Sequence, residues 1–185
     1  MYLLSIISFL LLGSYLTLAA MHFGIPAMVS DTYYQLQHAT GNFKKARNFG
    51  WLFSVVMLAT ALTMLICILD TGKGIQPFAF LGCTGLAFVG CAPNYLDQDE
   101  YKVHKWGATI AAMGCIGWGV SVCWWVTLTI AVAYILYLSA VEFAKAANSI
   151  RYISKDVTFH PWYWAEVAAF VDLYLSYWTI QLLTL

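Results

Sequence analysis

Six runs of about twenty apolar residues, separated by polar connections, constrain this chain more than any other feature of it. A helix of about twenty residues, rising about 1.5 Å per residue, crosses a hydrocarbon core about 30 Å thick. The runs extend from Tyr2 to Met21, Phe49 to Leu69, Ile75 to Cys91, Val103 to Val120, Ser121 to Val141 and Trp162 to Leu183. In lipid every backbone amide must bond within the protein, and none of the runs alternates with period two as barrel strands do. The expected fold is all-α: a polytopic membrane helical bundle of about six transmembrane helices, with residues 1–185 as a single domain. Composition points the same way, since 62% of residues are hydrophobic, 10% are charged and the mean hydropathy is +0.73. Soluble domains of ordinary composition fall well below that.

Two boundaries need comment. Met1 to Ala20 lacks the basic start and the cleavage site of a signal peptide, so it is expected to be the first span. The apolar stretch from Gly107 to Ala140 is too long for one crossing, and Gly117-Trp118-Gly119 is its expected hairpin. Trp118, Trp124 and Trp125 would then form part of an aromatic belt at one interface.

Charge placement sets the expected orientation. Lys44, Lys45 and Arg47 lie in the first connection, Lys102 and Lys105 in the third, and Lys145, Arg151 and Lys155 in the fifth, leaving only Lys73 on the other side. By the positive-inside rule these three loops are cytoplasmic and both termini outside, as in a bacterial inner membrane. His22, His38, His104 and His160 map to the same side with Asp31, Asp97, Asp99, Glu100, Glu142, Asp156 and Glu166, so any site is expected at the cytoplasmic helix ends. The nine basic and nine acidic residues cancel, which leaves no net field to attract nucleic acid. Membrane lipids are the expected partners, and Lys44, Lys45 and Arg47 are placed either to meet anionic lipid or simply to fix topology.

The most polar stretch is Ala92 to Gly107, APNYLDQDEYKVHKWG. On a helix Asp97, Glu100 or Tyr101, and His104 share one face, a candidate binding surface. The alternative is that Asp97 and Glu100 cap the helix start. Glu100 and His104, four residues apart, also have the spacing of two metal ligands, with Asp97 and His22 as further candidates and zinc as the metal. Either Asp31 lines a ligand site with Tyr33 and Tyr34, or Ser30 or Asp31 caps a short interfacial helix whose tyrosines lie at headgroup level. In the last run Glu166 and Asp172 are carboxylates at a depth where ionised groups face the bundle interior or water. Asp172 is a candidate proton or ion relay, or else is bonded to hydroxyls of a neighbouring helix. His160-Pro161 suits a helix start. Small residues at three- and four-residue steps, Gly82, Gly85 and Gly90 against Gly107, Ala111, Gly114 and Gly117, predict a tight pair of helices and offer faces for homo-oligomer contact. The five cysteines, without CxxC spacing, are expected to be reduced packing residues.

Ser30-Asp31-x-Tyr33-Tyr34, the Arg47-Asn48-Phe49 entry into the second run, and Ala92-Pro93 followed by His104 are similar to features of a diffuse group of small six-span bacterial membrane proteins and, more distantly, of the DRAM-like family. The resemblance implies a six-helix bundle and roles for Asp31 and His104, and it implies no reaction. The Asp97-Gln98-Asp99-Glu100 insert departs from it. The expected function is a non-enzymatic membrane module that binds a small ligand, a lipid headgroup or a partner through Asp31, Glu100, His104 and Glu166. The alternatives are a metal-dependent hydrolase acting on lipid, and an oligomeric ion or proton channel or transporter built around Asp172.

Overall fold

A computed structural model describes residues 1–38, 49–151 and 159–184. Lys44, Lys45, Arg47, Lys155 and Asp156 lie outside the described residues, as do the side chains of His38 and Arg151. All regular structure among the described residues is helical: α1 (Tyr2–Phe23), a 3-10 turn (Val29–Asp31), α2 (Thr32–His38), α3 (Trp51–Thr71), α4 (Gln76–Cys91), α5 (Gln98–Arg151) and α6 (Pro161–Leu183). The helix starts follow local chemistry. Asp97 precedes α5 and accepts the Asp99 N–H at 3.1 Å, the bond of an N-cap to the second helical residue. Pro161 opens α6 after His160, as expected. Helix α3 ends at Gly72, whose left-handed backbone (φ +60°) turns the chain and returns its N–H to the Leu69 carbonyl.

The bundle buries polar side chains and exposes apolar ones. Ser5, Ser8, Thr60, Asp172 and Ser176 are buried, whereas Leu62, Ile66, Leu136 and Leu182 are exposed. That distribution is stable where the surroundings are hydrocarbon and polar groups must find partners inside the protein. Three helices are long and apolar enough to cross a membrane: Tyr2–Phe23, Trp51–Thr71 and the stretch Gln98–Ala146. Six such runs were expected, and the difference has identifiable causes. Helix α4 is apolar but has only 16 residues. Helix α6 has 23 residues, but Glu166, Asp172 and its Trp and Tyr residues lower its hydropathy. The fourth and fifth runs form one continuous element, α5.

Helix α5 is nevertheless bent back on itself. Cys123 leaves the helical region (φ −142°, ψ 66°). A methyl group placed on Gly119 would come 2.9 Å from Thr127 Oγ1, although eight residues of uninterrupted helix separate two positions by about 12 Å. The two arms, 98–122 and 124–151, therefore run antiparallel. The hairpin is real but turns at Cys123 and not at Gly117-Trp118-Gly119. Trp118 correspondingly does not join an aromatic belt: it is fully buried and its Nε1–H donates to the Lys73 carbonyl at 3.2 Å, while Trp124 and Trp125 are exposed.

The predicted tight pair is present between α4 and the first arm of α5. A methyl on Gly82 would lie 2.7 Å from Cys115 N, one on Gly107 3.0 Å from Gly85 O, and any on Gly85 or Gly114 would strike the backbone of Ala111 or Gly82. Of the five cysteines, all free, four are buried and Cys91 is exposed. The hairpin makes a topological prediction: in a Cys91→Ser background, Asp99→Cys and Glu142→Cys are labelled by an impermeant maleimide from one side of the membrane, and Lys73→Cys from the other. Labelling of positions 99 and 142 from opposite sides would mean an unbroken α5.

Candidate functional site

The polar stretch ahead of α5 folds over the end of the bundle and is held there by a small set of bonds. Glu100 does not complete a capping box; its Oε2 accepts the Asn94 N–H at 2.9 Å and pins the preceding loop. Tyr34 OH on α2 donates to Asn94 Oδ1 at 3.1 Å and accepts the Leu96 N–H at 2.9 Å. The two loops are joined again by Tyr95, whose hydroxyl donates to Asp31 Oδ1, while Asp31 Oδ2 accepts the Met28 N–H at 3.0 Å. Burial raises the Tyr95 phenol pKa, and the bond to Asp31 raises it further, so the hydroxyl stays a donor. Asp31 thus supports its own turn, the capping role open to it in the sequence, and also bridges to the other loop.

His104 faces inward from the first turns of α5 and is only 8% exposed. Its Nδ1 lies 2.8 Å from the Ala92 carbonyl, which can only accept, so Nδ1 carries hydrogen and Nε2 is the lone-pair nitrogen of the neutral ring. The Tyr95 ring packs on it with centroids 5.2 Å apart. From α6, Glu166 Oε2 accepts the Val29 N–H at 2.5 Å and lies within electrostatic reach of Asp31. The structure therefore gathers Asp31, His104 and Glu166 around one end of the bundle, with Glu100 behind them as a loop anchor. His22 is apart, exposed at the end of α1 with its ring against Phe23. Asp97, Glu100 and His104 are each engaged with backbone, and no group of three His, Cys, Asp or Glu side chains converges as metal ligands among the described residues. The set His104, Glu100, Asp97 and His22 does not assemble.

Asp172 sits elsewhere, buried halfway along α6. Thr127 Oγ1 donates to its two carboxylate oxygens at 3.0 and 3.2 Å, and Ser176 Oγ to Oδ1 at 3.4 Å. The hydroxyl-bonded alternative describes its surroundings.

What the sequence did not disclose is the cleft beneath His104 and Glu166. It holds about 250 Å³ and runs between the first arm of α5 and α6, floored by Phe53, Met57 and Leu86. Alanines line both walls, Ala108 and Ala112 on α5 and Ala165 and Ala169 on α6. Its polar side chains, Ser30, His104 and Glu166, belong to the polar end, and exposed Ala112 and Ile116 leave its flank open. The only available signal was two alanine pairs at four-residue spacing, which reads equally well as packing. No protein-family model, curated protein or solved structure matches the chain.

Removing the bridge between the loops tests this construction. Tyr95→Phe strands a partly buried carboxylate oxygen, and hydrogen bonds to charged groups contribute about 1.5–3 kcal/mol. The variant is expected to unfold in detergent with a stability lower by about that amount, as followed by circular dichroism, whereas Asp99→Asn, on the exposed rim, is expected to leave it unchanged.

Proposed function

We propose that this protein is a multi-pass membrane protein that binds a single-chain amphiphile, or one chain of a lipid, in the cleft between α5 and α6. The observation that supports this most is the shape and chemistry of the cleft. Its volume would hold about eight waters at about 30 Å³ each, but its walls are apolar, and apolar cavities of this kind stay dry and take apolar guests. It follows the helix axes for about 12 Å, from Ala108 to Ile116 and from Ala165 to Leu173, the direction in which acyl chains lie. A chain entering through the open flank at Ala112 and Ile116 would place its head group beside Ser30, His104 and Glu166.

In this proposal α1, α3, α4, the two arms of α5 and α6 make six crossings. The concentration of Lys and Arg in the first, third and fifth connections supports a cytoplasmic site with both termini outside, in a bacterial inner membrane. In this proposal the site acts by binding, with Glu166 and His104 each held in place by one bond to backbone.

Filling the cleft tests the proposal. Wild type extracted in native-lipid particles is expected to carry a near-stoichiometric alkyl-chain amphiphile, detected by native mass spectrometry. Ala169→Phe is expected to lose it, and Val132→Phe, on the exposed face of the second arm, to retain it. Retention in all three, or in none, would overturn the proposal.

A further inference from the structure

The head group that the mouth of the cleft would hold can be read from which polar atoms are left unused there. We propose that it is a cation, of the class of alkylammonium amphiphiles. This rests on the amphiphile-binding proposal and extends it. Glu166 commits Oε2 to the Val29 N–H at 2.5 Å, and its other oxygen has no partner among the described residues. His104 commits Nδ1 to the Ala92 carbonyl, and its Nε2, which on a neutral ring is an acceptor, has no hydrogen-bond partner among the described residues. His104 is more than nine-tenths buried and lines the cleft. Apart from the Ser30 hydroxyl, the polar side-chain atoms lining the mouth are acceptors when Glu166 is ionised, the form that a bound cation would favour. Asp31 adds a second carboxylate within electrostatic reach of Glu166.

No described cation answers them. Lys102 and Lys105 lie on the same turns of α5 as His104 but on its exposed face, with Lys105 Nζ 5.8 Å from the centre of the Tyr101 ring. The one ion pair among the described residues, Lys145 with Glu142, is an exposed contact within α5. A site of acceptors and carboxylates beside a dry slot is complementary to a group that offers N–H donors and positive charge. An anionic head group would meet carboxylates and lone pairs, and a neutral alcohol would supply one donor and no charge.

Three probes of equal chain length test this on the full chain in nanodiscs of neutral lipid: dodecylammonium, dodecanol and dodecyl phosphate, each titrated by isothermal calorimetry. Wild type is expected to bind the amine about tenfold tighter than the alcohol, the fold-change of one charge-assisted hydrogen bond, and the phosphate most weakly. Glu166→Gln is expected to bring the amine down to the alcohol while leaving alcohol affinity unchanged, and Glu166→Asp, which keeps the charge, to retain a preference for the amine. Equal affinity for amine and alcohol in wild type, or preference for the phosphate, would overturn the cation assignment and leave the cleft an amphiphile site. If all three fail to bind, the cleft is not an amphiphile site at all. Should Glu166→Gln fail to fold, the wild-type ranking of amine, alcohol and phosphate gives the same decision.

Discussion

The bond from Thr127 to the Asp172 carboxylate is the interaction on which the arrangement of the last two helices depends. A carboxylate halfway along a helix surrounded by hydrocarbon has to find its partners in the protein. Thr127 reaches it only because α5 reverses at Cys123, and the reversal brings Thr127 and Gly119 to the same side chain. The space that a Cβ on Gly119 would need lies 2.9 Å from both Asp172 Oδ2 and Thr127 Oγ1. The missing side chain, the turn and the carboxylate are thus one device. It fastens both arms of α5 to α6 at mid-bundle, with Ser176 one helical turn further on completing the set of donors.

The first arm of α5 serves two neighbours through two stripes of small residues. Gly107, Ala111 and Gly114 face α4, where the backbones approach so closely that a methyl group on either glycine would collide or press. Ala108, Ala112 and Ile116, displaced by one residue and therefore by about 100° around the helix, face the cleft. Small residues on the first stripe close a gap, because glycine on both sides lets the helices touch. On the second stripe they keep one open, because α6 is held off by its fastening at Asp172 and by the loop that inserts Val29 against Glu166. The same residue types therefore produce contact or cavity according to what holds the partner helix.

This explains what was legible in the sequence and what was not. The all-helical class, the Asp97 cap, the Pro161 start and the α4–α5 glycine face were legible because each depends on composition, on a few adjacent residues or on a regular step. The turn at Cys123 was not, since Val122-Cys123-Trp124 carries no turn-forming residue. The glycines that suggested a turn serve close approach: a methyl on Gly117 would press the Phe78 ring at 3.1 Å, and Gly119 makes room at Asp172. In a membrane helix glycine signals flexibility and proximity with the same letter, and only the partner helix distinguishes them. Asp31, His104 and Glu166 could be placed at one end of the bundle from sidedness alone, but their convergence depends on rotation about each helix, which no pattern in the chain reports. Tyr95 was missed for a simpler reason: it lies in the polar stretch but carries no charge, and its bond to Asp31 exists only once two distant loops meet.

The zero net charge of the chain is a poor guide to its chemistry, because the charges are sorted radially as well as by side. On the first turns of α5, Lys102 and Lys105 point outward and His104 inward, an alternation that the helical repeat imposes on three residues within four positions. The lysines are exposed, while Glu166 and His104 line a mostly apolar cleft where charge and lone pairs act over short distances at greater strength than in water. In the proposed site a ligand at the end of the bundle would meet the inner set directly and the outer set only through solvent. On that proposal the inner set, small as it is, would decide which sign of charge can be held beside the apolar slot.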